Sequence, residues 1–342
     1  MTLGARVLVP LDGTQSAEQA LPLARLVARV AGGSIVLAHV VEPGFPLGRV
    51  LGAGVPDPRD TCALHPPEAY LDHVIACMTR DAAVADVPVL RVVLDGKPAR
   101  ALRHAAVAHG ADLVVMASRD PSAPGQRPIG RIAERVARAR GLPVVLVRGR
   151  RLGDDRPGGP GPAPIADVTT LEAPPVRHLL VPLDGSPAAE AVLAPSLALA
   201  RLMNAAVTLL TADFPRDDRA AVVLSTVVLD TGRPDGADGH PTAGMHAASR
   251  REVAPYLTAL ACRLGTGEYR AHVRELRGLD TAEAIVRCAS DVGADLIAMS
   301  THGRGVLGRL LHGGVAHGVL RRTPFPVLML RPTDAAGADG TR

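Results

Sequence analysis

At 342 residues, with 47% hydrophobic side chains but only 2% aromatic and no tryptophan, the chain holds enough Val, Leu, Ile and Ala for two domains with substantial cores, a composition suited to helices packed on buried parallel strands. The 38 basic and 34 acidic residues leave a net charge of only +4, and no basic stripe is interleaved with aromatics, which argues against a nucleic-acid binder. Cys62, Cys77, Cys262 and Cys288 form no C-x-x-C pair, no apolar run approaches the ~18 residues of a membrane span, and Asp12 comes too early for a signal peptide, so the expectation is a soluble cytoplasmic protein with reduced thiols and no membrane association.

Arg6 to Pro10 reads as a short apolar strand, followed by a helix over Ser16 to Ala31 with Ala20, Leu23, Ala24 and Val27 on one face. Pro22 should bend that helix by removing an interior hydrogen bond. Ser34 to Val41 is a second strand, and a long insertion over 41–67 leads to a helix at Glu68 to Ala82. A strand at Leu90 to Leu94, a helix at Ala99 to His109, a strand at Asp112 to Met116, a helix at Gly130 to Ala139 and a strand at Pro143 to Val147 complete the set. Strands alternating with helices in this way imply a doubly wound parallel sheet with right-handed crossovers.

After a Pro/Gly-rich polar stretch, RRLGDDRPGGPGPAP, the pattern repeats. VLVPLDG at 7–13 recurs as LLVPLDG at 179–185, ADLVVM at 111–116 as ADLIAM at 294–299, and LPVVLV at 142–147 as FPVLML at 325–330. The second copy runs through Leu179 to Val181, a helix at Ala188 to Met203, Ala206 to Thr211, a helix at Met245 to Leu264, His272 to Arg277, a helix at Thr281 to Val292, Asp295 to Met299 and Val327 to Leu330. Its own insertion, 212–239, contains AAVVLSTVVL, too apolar for a free loop and expected as an extra strand or a packing flap. The reading is therefore two tandem doubly wound five-stranded parallel-sheet domains, 1–148 and 177–332, joined by a linker over 149–176 and ending in a disordered tail, 333–342. Each half closes on a short apolar strand, expected at a sheet edge that invites pairing.

In an open parallel sheet, ligands bind beyond the carboxyl ends of the strands where the strand order reverses. Asp12 and Asp184 each end a first strand and precede Gly and then Thr or Ser, which fits either a turn or N-cap carboxylate or a ligand contact. In the second copy, Asp295 to Leu330 reads as strand, glycine-rich loop, helix and strand. Gly313 and Gly314 fall at the start of the helix carrying Val315, Val319 and Leu320, where free N–H groups and the macrodipole favour phosphate.

The spacing Ser300-x2-Gly303-x9-Gly313-Gly314 resembles the nucleotide loop of the universal stress protein family, with Gly314 where the family pattern has Ser or Thr. That resemblance implies an adenine-nucleotide alpha-hydrolase-like, Rossmann-like fold and ATP as ligand, with the need for Mg²⁺ left open. It implies that Asp184 meets the adenine side with Pro182 and Leu183 beside it, that Ala212 presents backbone to the base, and that Met299 and Ser300 flank the ribose. His302, Gly303 and Arg304 with Gly313, Gly314 and Val315 would surround the phosphates. Asp12, Val40 and Gly130 mark the corresponding weaker site. The family resemblance also implies that the last strands associate, so that the halves form an intramolecular pseudo-dimer, with a homodimer open and a regulatory protein as partner.

Laying Met116 on Met299 sets Ala117 against Ser300, Asp120 against Gly303, Gly130 against Gly313 and Arg131 against Gly314, while Pro121, Pro124 and Pro128 remove amide donors. Nucleotide is therefore expected mainly in the second half. An ATP-hydrolysing or adenylating enzyme of the same fold is the alternative, though spacing supports no Ser/His/Asp or Cys/His arrangement and no carboxylate cluster; His312 and His317, five apart, share no helical face for a metal. A third reading is an interaction module that binds no nucleotide.

Overall fold

A computed structural model describes residues 3–42, 66–79, 87–118, 130–148, 173–213, 221–229, 246–247, 255–264, 269–277, 279–301 and 314–333. The chain divides into unit 1, Met1–Val136 with Val144–Pro175, and unit 2, Ala137–Pro143 with Val176–Arg342. The expected tail from residue 334, the linker over 149–172 and most of both insertions lie outside the described residues.

Unit 1 runs β1 (Arg6–Pro10), α1 (Gln15–Glu18), α2 (Leu21–Val30), β2 (Ser34–Val41), α3 (Pro67–Thr79), β3 (Val89–Asp95), α4 (Pro98–Ala108), β4 (Leu113–Ser118), α5 (Arg131–Ala137) and β5 (Val144–Arg148). Its strands lie in the order β3-β2-β1-β4-β5, every neighbouring pair parallel. Central β1 has no alternation because both faces are covered: Val7, Leu8 and Val9 are all inaccessible. The chain breaks where a bend at Pro22 was expected. Pro22 sits in the first turn of α2, where its missing N–H leaves no helix bond unmade, and α1 ends four residues earlier at Glu18.

Unit 2 runs β6 (His178–Pro182), α6 (Pro187–Glu190), α7 (Leu193–Met203), β7 (Ala206–Asp213), β8 (Ala221–Leu229), β9 (His246–Ala247), α8 (Pro255–Arg263), β10 (Tyr269–Arg277), α9 (Thr281–Asp291), β11 (Leu296–Ser300), α10 (Val315–Arg322) and β12 (Val327–Leu330). The doubly wound α/β class holds, but this sheet adds the antiparallel strands β8 and β9 to its parallel ones, with the order β12-β11-β6-β7-β8-β10-β9. The apolar stretch of the insertion is the extra strand β8, antiparallel to both β7 and β10, so β10 still runs parallel to β7. Burial explains it: Leu224, Val227 and Leu229 are at most 1% exposed, a β-branched and aliphatic set that a loop would leave in water. The single helix expected over Met245 to Leu264 is also corrected. His246–Ala247 pairs with β10 as β9, and the helix of this stretch among the described residues is α8, Pro255–Arg263.

The recurring Ala-Asp-Leu motif proves to be a backbone clamp. Asp112 accepts from the N–H groups of Gly4 and Ala5 at 2.9 and 3.0 Å, and Asp295 accepts from Arg177 and His178 at 2.7 and 3.0 Å. Each carboxylate thus ties the entry of its unit's first strand to the strand beside it. A second tie differs between the units: Arg6 donates to the His109 carbonyl at 2.7 Å, whereas His178 donates from Nδ1 to the Val292 carbonyl at 2.9 Å and meets the Thr208 hydroxyl at 2.7 Å through Nε2. Of these groups the His178 ring is buried, and leaving it unpaired would cost about 1–3 kcal/mol. Cys77 and Cys288 are buried and Cys262 is exposed, none of the three in a disulfide. Among the described residues, no helix is long and apolar enough to cross a membrane.

Candidate functional site

In both units the strand order reverses at the first strand: β1 lies between β2 and β4, and β6 between β7 and β11. The Asp-Gly-Thr and Asp-Gly-Ser turns leave the carboxyl ends of those strands. Asp12 Oδ1 accepts from the Thr14 N–H at 3.1 Å and its hydroxyl at 2.6 Å; Asp184 Oδ1 accepts from the Ser186 N–H at 2.9 Å and its hydroxyl at 2.5 Å. Gly13 and Gly185 take φ of 83° and 76°, a conformation that side chains resist, which is why glycine follows each aspartate. The helix N-cap is the hydroxyl residue, not the aspartate: Thr14 accepts from Ala17, and Ser186 from Ala189. One oxygen of each exposed carboxylate therefore shapes the turn, and among the described residues the other takes no protein hydrogen bond.

Around Asp184 the structure gathers much of the expected set. The Leu183 N–H donates to the Leu210 carbonyl at 2.8 Å, holding the turn against β7, where half-buried Ala212 follows two residues later. β8 runs along the opposite side of Ala212, paired through Leu224. On the other flank, Ile297 is in register with Leu180, so β11 carries Met299 and Ser300 to the level of Pro182. The Met299 side chain is buried and Ser300 half-buried. Gly314 is the N-cap of α10, with no side-chain cap, and a Cβ built there would meet nothing within 4 Å; Val315 after it is 41% exposed. His302, Gly303, Arg304 and Gly313 lie outside the described residues, as do Asp120, Pro121, Pro124 and Pro128. In unit 1, Asp12, Val40 and Gly130 occupy the corresponding strand ends and helix start. No group of three His, Cys, Asp or Glu able to hold a metal occurs among the described residues.

A second constellation beside each turn escaped the reading of the sequence. In unit 1, Tyr70 of α3 donates to Glu18 Oε1 at 2.8 Å, and Glu18 is only 5% exposed. Burial pushes its carboxyl up to about 7, against the opposing phenol bond and with a small further push from Asp12. The His39 ring packs edge-on against Tyr70 with centroids 6.2 Å apart, and burial lowers its pKa, partly opposed by a backbone bond at Leu11 and by Asp12 and Glu68. In unit 2, Tyr256 donates to Glu190 Oε1 at 2.9 Å, and Arg263 binds the other carboxylate oxygen. Burial, then the bond to Glu190, raises the Tyr256 phenol far above its ordinary range. The signal was present in the repeat: TQSAE and SPAAE place Glu18 and Glu190 alike, and Ala-Tyr-Leu and Pro-Tyr-Leu place the two tyrosines.

Comparison with known proteins agrees with the architecture. The model of the Universal stress protein family matches residues 5–148 and 175–331. A protein of Thermus aquaticus described as a universal stress protein in the QAH/OAS sulfhydrylase 3' region is 28% identical over 151 residues, 42% of this chain and 97% of its own. The stress response protein NhaX of Bacillus subtilis is 27% identical over 165 residues, again 42% of this chain and 97% of its own. Among solved structures, a universal stress protein from Archaeoglobus fulgidus matches 96% of this chain and 99% of its own with a TM-score of 0.57 at 14% identity, a likeness of fold. Two matched segments that together take in both sheets, with both Asp-Gly turns inside them, place this chain in the universal stress protein family as a tandem member.

Proposed function

We propose that the protein is an ATP-binding stress-response regulator in which unit 2 takes most of the nucleotide, and in which occupancy alters assembly or contacts with a partner protein. The observation that carries this reading is the Asp184 turn: one oxygen is spent on the turn, the other takes no hydrogen bond among the described residues, and the turn stands where the strand order reverses between β6 and β11. Such a carboxylate suits the exocyclic amine of adenine, a charge-assisted acceptor for a neutral donor. At the other end of the crevice Gly314 opens α10 without a side chain, so an anion can approach the first N–H groups of that helix unhindered. Pro182, Leu183, Ala212, Met299 and Ser300 would line the nucleoside part, and His302, Gly303, Arg304, Gly313, Gly314 and Val315 the phosphates. Asp12, Val40 and Gly130 would form the weaker site.

The reading is tested by titrating ATP into the purified full chain and by identifying any nucleotide that copurifies with it. Micromolar binding that weakens markedly in Asp184→Ala supports it, and absence of binding with or without Mg²⁺ defeats it. Sustained ADP or AMP release at ~10 per second, typical of ordinary enzymes, would move the protein to the enzyme class instead.

A further inference from the structure

The two units carry the same carboxylate and phenol in the same place, but among the described residues a cation stands beside them in unit 2 alone. Glu190 has Tyr256 on one oxygen and Arg263 on the other, and keeps a partly exposed side chain. Laying Tyr70 on Tyr256 brings Cys77 to the position of Arg263, and Cys77 is a buried thiol that meets His73 at 3.5 Å. Among the described residues Glu18 has no ion-pair partner, and it is almost completely covered.

We propose that Glu18 and Tyr70 form a proton-operated latch that holds α3 against the α1 corner of unit 1 while Glu18 is neutral and loosens when Glu18 ionises, whereas in unit 2 Arg263 pairs with the equivalent carboxylate.

A neutral carboxyl is readily buried once it is hydrogen-bonded, and the Tyr70 hydroxyl supplies the bond. Ionisation places a negative charge in the same covered site. Among the described residues the groups acting on Glu18 do little to relieve it: Tyr70 on α3 offers one hydroxyl, Asp12 after β1 repels, and Glu68 on α3 acts on His39 instead. His39 on β2, whose ring meets Tyr70, is held toward its neutral form by burial. β4, which packs against α1, presents only Leu113–Ser118 and no charge. Separating α3 from α1 is the way to return water to the carboxylate, so ionisation should raise the population of that opened state. The balance point falls near neutrality because burial lifts the carboxyl to about 7.

The test is hydrogen exchange of the full chain without nucleotide, so that failure of ATP binding has no bearing on it. Peptides covering Pro67–Thr79 are followed at pH 6 and pH 8, corrected for intrinsic exchange, with Pro255–Arg263 as the internal control. If the opened carboxyl titrates at its ordinary value, linkage makes the opening equilibrium of α3 about ten-fold larger at pH 8 than at pH 6, with no such change in α8. Glu18→Gln should remove the difference, and Tyr70→Phe, which deletes the bond favouring the charged form, should move its midpoint to higher pH. Equal α3 protection at the two pH values, a pH dependence that survives Glu18→Gln, or an unmoved midpoint in Tyr70→Phe each overturns the latch.

Discussion

In unit 1, β2 and β3 are direct neighbours, whereas in unit 2 the inserted β8 parts β7 from β10 while keeping them parallel. Across that difference the backbone devices are unchanged: the aspartate clamps at Asp112 and Asp295 and the turns at Asp12 and Asp184 repeat bond for bond. What differs lies at the corners: among the described residues a cation on Glu190 but none on Glu18, and a tight helix contact in unit 2. A duplicated fold keeps the residues that pair the backbone N–H groups of its strand entries and turns, because each copy presents those same groups. Charge balance and helix packing at the rim are freer to diverge, and there the two units acquire separate behaviour.

The largest expected difference between the units is in their response to pH. Glu18 titrates at about 7 in the folded protein against an ordinary 4.5, so between those values the native state holds the extra proton. Its contribution is full below pH 4.5, falls as pH rises through the window and is lost above 7, an amount of up to about 3 kcal/mol at ~1.4 kcal/mol per pKa unit. Chemical denaturation across pH 4–8 should show this slope in unit 1, and Glu18→Gln should flatten it.

Nucleotide affinity should separate the units next. Asp184→Ala is expected to weaken ATP roughly 10- to 100-fold, the range of a lost hydrogen bond to a charged group, and Asp12→Ala less than about 3-fold. Calorimetric titration of both variants decides it, and equal losses would erase the asymmetry.

A smaller effect is expected at Gly318, where an added Cβ would lie 2.6 Å from Ala282 Cβ across the contact of α10 with α9. Gly318→Ala should destabilise unit 2 by roughly 1 kcal/mol, because overpacking of about 1–3 kcal/mol is partly offset by the better helix propensity of alanine. Laid on unit 1 this position is Arg135, so no equivalent contact is threatened there, and a thermal melt resolving the two units would detect the difference.

Arg263→Gln should make unit 2 resemble unit 1 at its corner, at a loss of only about 0.2–1 kcal/mol because the arginine is 62% exposed. The informative reading is exchange in α8, which should acquire some pH dependence. Gly314→Ser should have the mildest effect, a few tenths of a kcal/mol from a hydroxyl N-cap on α10 together with slightly tighter ATP binding. Weaker ATP binding in that variant would mean that bare backbone is what the site requires.

The recurrence of VLVPLDG, ADLVVM and LPVVLV, together with the alternation of apolar runs and helical faces, was enough to read the duplication, the α/β class and most strand positions. These are local signals: burial on both faces of a central strand writes itself into consecutive residues, and a tight turn demands its glycine within one or two positions. The composition of AAVVLSTVVL likewise announced a buried segment, but only pairing could place it between β7 and β10. The roles of Asp112 and Asp295 were not legible, because the N–H groups they satisfy lie more than a hundred residues away in the chain. Nor was Glu18 distinguishable from Glu190: each is one acidic residue near a helix start, and what separates them is burial and the Arg263 beside Glu190, supplied by a helix on the far side of a long insertion. Sequence determines which backbone must pair and where it must turn, because those demands are met by neighbours along the chain. The proton affinity of a carboxyl is decided by the solvent and charges around it, and only the tertiary fold assembles those.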